Sequence, residues 1–93
     1  MSLEARREIG RLLRELQDGE MLSMPQSRPM PDIGSRCHEL RVNDQNKTWR
    51  LIYRIDSDAI VILDVFEKKS NRTRPQIIKT CQRRLNLYET SRI

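Results

Sequence analysis

Five basic side chains lie within or directly after strand-like segments of the sequence. They are Arg41, Arg50, Arg54, Lys68 and Lys69. Guanidinium and ammonium groups bind phosphate through charge-assisted hydrogen bonds, and arginine does so with a planar, two-pronged fork. Two alternatives follow, a phosphate-binding site or the ordinary solvated face of a sheet. A salt bridge from Arg54 to Asp56 or Asp64 is a third use for that side chain.

Proton transfer needs a different kind of side chain, and the sequence offers two. His38 is the single histidine, and Tyr88 lies near the carboxy terminus. Both suit general acid–base chemistry by residue type. A histidine within a strand can equally be packed at the margin of a core, so both roles stay open for His38.

Several familiar catalytic classes lack their residues here. The two cysteines, Cys37 and Cys81, are far apart, and the sequence has neither zinc-ligand spacing nor a glycine-rich phosphate loop. No serine stands in an activating context, and Asp56 and Asp58 flank Ser57 in what is best interpreted as a turn. We therefore expect no metal and no cofactor, and reduced thiols as in a cytoplasmic protein.

Hydrophobic spacing predicts the elements that must position these groups. A helix is expected over residues 3–18, three strands over 37–43, 48–55 and 59–66, and a second helix from Pro75. The proline-rich segment 21–36 is predicted to be an ordered connector. The third strand is almost wholly apolar and should be central in the sheet. The sequence predicts one α+β domain over residues 1–93, with an antiparallel sheet of about three strands between two helices.

Strand alternation then assigns the basic residues to one face. Arg50 and Arg54 alternate with Leu51, Tyr53 and Ile55, and the apolar set should face the helices. Arg41, Arg50 and Arg54 are expected on the open face, with Lys68 and Lys69 at its rim.

Charge is distributed unevenly along the chain. The net charge is +5 and the sequence pI is about 9.8. Residues 68–93 carry +7 and residues 1–67 carry −2. This polarity favours an anionic partner. No apolar run reaches the roughly 18 residues of a membrane span, so we expect no membrane association and a cytoplasmic location.

Short motifs spread over most of the chain resemble a known family. They are "RPMPDIG", "CHELRV", "WRLIYRIDSDAIVILDVFEKKS" and "RRLNLY". In this order and spacing they resemble the phage-derived HigB-like toxins of the RelE/ParE superfamily. The resemblance implies a RelE-like fold and the toxin of a type II toxin–antitoxin pair. It further implies ribosome-dependent cleavage of mRNA, and neutralisation by a HigA-like helix-turn-helix antitoxin.

The resemblance also implies roles for individual residues. By motif position, Arg41, Arg50 and Lys68 or Lys69 correspond to the catalytic cations. His38 is added as a candidate acid or base by residue type alone. The remaining RNA contacts are expected from Arg54, Arg72, Arg74, Lys79 and Arg83. Stabilising the charge that builds on a cleaved phosphate requires only fixed cations, so no metal is implied.

The amino-terminal strand of the superfamily has no counterpart in this sequence. We therefore expect an uncovered sheet edge, which would pair with a second copy of the chain or receive the antitoxin. A gyrase inhibitor of the ParE branch and an inactive phage remnant remain as alternatives.

Overall fold

The computed structural model describes residues 1–24 and 26–91, and it shows two helices and four strands. In chain order they are α1 (Leu3–Gln17), β1 (Ser27–Pro29), β2 (Cys37–Asp44), β3 (Lys47–Ile55), β4 (Ile60–Glu67) and α2 (Pro75–Ser91). Neighbouring strands are antiparallel in the order β1-β2-β3-β4. The predicted α+β class is confirmed, with β1 as an additional short strand. Arg92, part of the basic carboxy-terminal count, lies outside the described residues.

Helix α1 is anchored at its first residue. The Ser2 hydroxyl accepts the N–H of Ala5 at 3.1 Å, which caps the helix. The Ser2 N–H donates to the Asp44 carboxylate at the end of β2, at 2.9 Å. Leu12 and Leu16 are buried on the face that meets the sheet. The cap and the apolar stripe together fix how α1 lies on the sheet.

The sheet is covered on both faces, by two separate apolar clusters. On one face α1 packs over Leu40, Val42, Leu51 and Tyr53. On the other, α2 and the connector pack over Cys37, Ile52 and Leu63 through Met30, Ile33, Cys81 and Leu85. The sheet is therefore the middle layer of three.

The strand alternation is as expected, but the face that carries the arginines is not open. Arg41 pairs with Arg50 across β2 and β3, and Arg54 pairs with Cys37 on the same side. Arg50 and Arg54 are only 1% and 9% exposed. The expectation of an open face was wrong because Ile52, between the two arginines, and Leu63 of β4 need apolar cover.

The connector also covers the sheet edge that was expected to be vacant. Its strand β1 pairs with residues 38–40 of β2. Backbone hydrogen bonds from Met30 N to Cys37 O and from Arg41 N to Gln26 O, both 2.8 Å, extend this pairing. The expectation of an uncovered edge at β2 was therefore wrong over residues 37–41. The β1 strand has three residues, too few to show a sequence period.

Strand β4 lies at the other edge of the sheet, not at its centre. Its apolar composition has a different cause, since both helices contact it. Leu63 is buried against α2, while Ile62 and Val65 on the α1 side remain 49% and 42% exposed. An edge strand that is flanked on two faces can thus look central in the sequence.

A β-bulge interrupts that edge. Ile52 pairs with Asp64 and Tyr53 with Ile62, so Leu63 is the extra residue. The Arg84 guanidinium of α2 donates to the Leu63 carbonyl at 2.7 Å and lies 3.3 Å from the Asp64 carboxylate. Bulges and charges of this kind discourage pairing with another strand.

The two thiols lie beneath α2 in one apolar cluster. Cys37 of β2 and Cys81 of α2 are both buried and free. Burial raises the pKa of both thiols, and that of Cys81 to about 12.

No helix among the described residues has the length and apolar content to cross a membrane.

Candidate functional site

A buried carboxylate, Glu39, connects two arginines and a threonine that come from different elements. Its Oε1 accepts from Arg28 Nε of β1 at 3.0 Å and lies 3.5 Å from Arg50 Nε of β3. Its Oε2 accepts from the Thr73 hydroxyl at 2.8 Å. Glu39 itself is 1% exposed. We call these four side chains the Glu39 network.

Arg50 is the most deeply buried cation of this network. Burial lowers the pKa of its guanidinium, the nearby Glu39 carboxylate opposes that shift, and Arg28 and Arg41 add repulsion. Its Nη2 donates to the Asn71 carbonyl at 3.5 Å. Its Nε is buried and has no hydrogen bond within residues 1–24 and 26–91. This Nε lies 3.5 Å from Glu39 Oε1, so the two buried groups form an ion pair without a full hydrogen bond.

Above Arg50 lies a cleft between the sheet and the loop that joins β4 to α2, residues 68–74, which we call the β4–α2 loop. Its inner part encloses about 230 Å³ and is lined by Arg50, Phe66, Lys69, Arg72 and Arg74, among others. Its outer part encloses about 640 Å³ next to Arg28 and shares Ser70, Arg72 and Arg74 with the inner part. The two parts are therefore neighbours, and arginines are the most frequent residues in their combined lining, which also includes the acids Glu67 and Asp32.

A known protein family matches nearly the whole length of the chain. Residues 1–86 match the model of the family described as "Phage derived protein Gp49-like (DUF891)". The chain belongs to this family. No curated protein and no solved structure gives a significant match.

The match with the Gp49-like family includes every residue of the Glu39 network and of the cleft. Among the residues predicted from the sequence, the cleft brings together Arg50, Lys69, Arg72 and Arg74. Lys69 also lies 3.3 Å from the Glu67 carboxylate.

The other predicted cations of this Gp49-like chain lie outside the cleft lining. Arg41 is half-buried opposite Arg50 in the strand register. Lys68 is half-buried, and its backbone N–H donates to Thr48 O at 2.7 Å. Lys79 and Arg83 are exposed on α2.

The proposed acid–base residues are separated from Arg50. His38 lies on the α1 side of the sheet, stacked on Tyr53 with ring centroids 5.5 Å apart. Burial lowers the pKa of its imidazole. Tyr88, near the end of α2, donates to the Asp56 carboxylate at 3.2 Å. The sheet thus separates His38 from Arg50, and Tyr88 contacts the β3–β4 turn.

Arg54 also lies apart from the cleft. It forms an ion pair with Glu89 of α2. Hydrogen bonding to Glu89 raises the pKa of its guanidinium. Arg54 is four residues from Arg50 along β3, or about 13 Å in an extended strand. It therefore ties α2 to the sheet.

Sequence reasoning missed three members of the Glu39 network, namely Arg28, Glu39 and Thr73. Arg28 lies in a strand of three residues, where no period can be detected. For Glu39 a signal existed, because alternation puts it on the same face as Arg41 and Arg50. An acid among cations on one face of a sheet indicates a charge network. The described residues contain no group of three or more His, Cys, Asp or Glu side chains that could hold a metal ion.

Proposed function

We propose that this protein is the toxin of a type II toxin–antitoxin pair and acts as an mRNA endoribonuclease at the ribosome. The observation that carries the proposal is the position of Arg50, a buried cation that lines a cleft together with the exposed cations Lys69, Arg72 and Arg74. Membership of a phage-derived family is compatible with such a toxin. The proposed partners are ribosome-bound mRNA and a HigA-like helix-turn-helix antitoxin.

The cleft suits the backbone of single-stranded RNA. Lys69, Arg72 and Arg74 are exposed at its rim, and they would hold phosphates through long-range attraction and direct contacts. Arg50 lies deeper, beneath the carbonyl of Asn71. For a phosphate to reach Arg50, the β4–α2 loop must move outward and give up that 3.5 Å contact. This contact is long for a hydrogen bond, whereas the 2.8 Å hydrogen bond from Thr73 to Glu39 holds the other end of the loop in place.

The chemistry assigned to this position is attack by the RNA on itself. The 2′-hydroxyl oxygen bonds to the adjacent phosphorus, the bond to the 5′-oxygen breaks, and a cyclic 2′,3′-phosphate and a 5′-hydroxyl result. The 2′-hydroxyl loses its proton and the departing oxygen gains one, so no water is consumed. Negative charge builds on the phosphate during this step, and the Arg50 guanidinium would stabilise it in place.

Glu39 acts in this scheme as a positioning residue. It holds Arg28 and Arg50 on one carboxylate and so orients both guanidinium groups. Thr73 joins the β4–α2 loop to the same carboxylate. Arg50 is thereby arranged before substrate arrives, which is the condition under which fixed charges accelerate a reaction.

Two assays on the same preparation test the proposal. Purified protein is added to a translating extract, and mRNA ends are mapped; separately, gyrase supercoiling is measured. Cleavage within translated mRNA, leaving supercoiling unchanged, supports the proposal. Inhibited supercoiling with intact mRNA would replace it with the activity of a gyrase inhibitor.

A further inference from the structure

The outer part of the cleft differs from a surface that only holds phosphate. Five of the residues that line its volume of about 640 Å³ are apolar, namely Pro29, Met30, Pro31, Pro75 and Ile78. Arg28, Arg72 and Arg74 line it as well. Phosphate contacts do not use apolar walls, whereas unstacked nucleobases pack against apolar groups and arginine planes. The volume is within the range of about 300–1,000 Å³ that small-ligand pockets take.

One acidic residue, Asp32, also lines this pocket. It lies in a turn that is closed by the hydrogen bond from Ile33 N to Met30 O at 3.1 Å. Gln82 of α2 donates to the Asp32 carbonyl at 2.6 Å and fixes the turn against the helix. Within the described parts of the chain, no hydrogen bond or ion pair is formed by the Asp32 carboxylate. An anion in a pocket for nucleic acid weakens binding of every phosphate, so its place needs a compensating contact.

We propose that the outer pocket binds the guanine base of a nucleotide next to the phosphate at Arg50, with Asp32 as the residue that selects it. This inference rests on the proposed endoribonuclease function and specifies its substrate. A carboxylate accepts two hydrogen bonds side by side. Guanine presents two donors on one edge, N1–H and the N2 amino group, and acceptors O6 and N7 that suit arginine.

The other three bases fit this lining less well. Adenine and cytosine each offer one amino group beside a ring acceptor, and that acceptor would face the carboxylate. Uracil offers one N–H between two carbonyl oxygens. The arrangement of one acid and three arginines therefore favours guanine on both of its hydrogen-bonding edges.

Binding of uncleavable RNA tests the inference. The probe is a short 2′-O-methyl oligouridine with guanine, adenine, cytosine or an abasic position at its centre. The wild-type protein should bind the guanine probe about tenfold more tightly than the others, as expected for one bidentate pair. Asp32→Asn should remove this preference and bind the other probes more tightly than the wild type, because a negative charge is lost.

The control is Asp18→Asn, which removes an exposed acid just after α1, on the opposite side of the sheet. It should leave the preference for guanine intact. Equal binding of all probes by the wild type, with affinity that falls in Arg72→Ala, would overturn the guanine site and leave the phosphate cleft standing. Failure of every probe to bind at low salt would overturn both.

Discussion

At the scale of single residues, two buried arginines on one face of β3 differ in the exposure of the carboxylates that they pair with. Arg50 and Arg54 are both buried, and the Nε of each lacks a hydrogen bond within the described residues. Arg54 pairs with Glu89, which is half exposed, whereas Arg50 pairs with a carboxylate that is itself buried. The side chains of the Arg50 pair are each 1% exposed, whereas those of the Arg54 pair are 10% and 50% exposed. We therefore assign a structural role to Arg54 and a functional one to Arg50.

Arg50→Lys tests that assignment. Lysine keeps the charge and most of the volume but lacks the two-pronged fork, so cleavage of mRNA should fall by about 10²- to 10³-fold. The matched control is Arg54→Lys on the same strand, which should cleave at nearly the wild-type rate. Primer extension on mRNA from a translating extract measures both. Equal rates for Arg50→Lys and wild type would remove Arg50 from the site. Arg50→Ala is a poorer test, because it leaves a buried cavity.

Glu39→Gln addresses the carboxylate that holds the network together. Glutamine preserves shape, but Arg28 and Arg50 lose their shared counter-charge, and breaking a buried pair costs about 3 kcal/mol or more. Urea unfolding should show this loss, and added salt should recover part of it. Glu67→Gln, which breaks the exposed pair with Lys69, should cost less than about 1 kcal/mol. Similar losses in the two variants would mean that the Glu39 network contributes no special stability.

At the scale of elements, β4 presents the edge that another chain would meet first. Ile62 and Val65 expose apolar surface there, and Arg84 occupies the carbonyl of the bulge residue Leu63. The Val65 N–H donates to the carboxylate of the preceding Asp64 at 2.9 Å. These contacts satisfy backbone groups that would otherwise be free to pair.

Removing the guanidinium should therefore expose the edge. Arg84→Ala is expected to self-associate as its concentration rises, because an unpaired carbonyl then lies beside exposed apolar side chains. Arg83→Ala removes the same charge from a neighbouring exposed position, and this variant should not self-associate. Sedimentation over a range of concentrations compares the two. A monodisperse Arg84→Ala protein at high concentration would show that the bulge protects the edge without the arginine.

How far the elements could be predicted depends on their length. Helix α1 and strands β2 to β4 were predicted to within two residues because each has a period of its own. Strand β1 has three residues and exists only through pairing with β2. Strand alternation placed Arg50 on the correct face of the sheet. Which elements cover that face depends on tertiary packing, which alternation does not predict. The same limit applies to the site, where Arg28 reaches Glu39 from the three-residue strand β1 and Thr73 from the β4–α2 loop.

At the scale of the whole molecule, the uneven charge along the sequence gives the two sides of the sheet different charge. Most of the basic excess lies in the β4–α2 loop and in α2, on one side of the sheet. Helix α1, on the other side, pairs Arg11 with both Glu8 and Glu15. Long-range attraction should therefore bring a nucleic acid to the side with the cleft.

The salt dependence of RNA binding should report how many cations take part. Four basic residues at the cleft rim, Arg28, Lys69, Arg72 and Arg74, predict a slope of log affinity against log salt of about −3. Arg74→Ala should reduce the steepness by about 0.7. Arg7→Ala, exposed on α1, should not change it. Fluorescence titration of an oligouridine at several salt concentrations measures the slope. Equal effects of the two variants would mean that RNA binds without regard to the cleft.

The two buried thiols can report whether α2 has separated from the sheet. Cys37 and Cys81 lie on opposite sides of the contact between β2 and α2, and neither can meet a reagent while that contact holds. A thiol with a pKa of about 12 is also almost entirely protonated near neutral pH, and the protonated form does not react. Alkylation of Cys81 would thus proceed only in molecules whose α2 has left the sheet. A brief pulse of a maleimide could then count those molecules by the mass that it adds at Cys81.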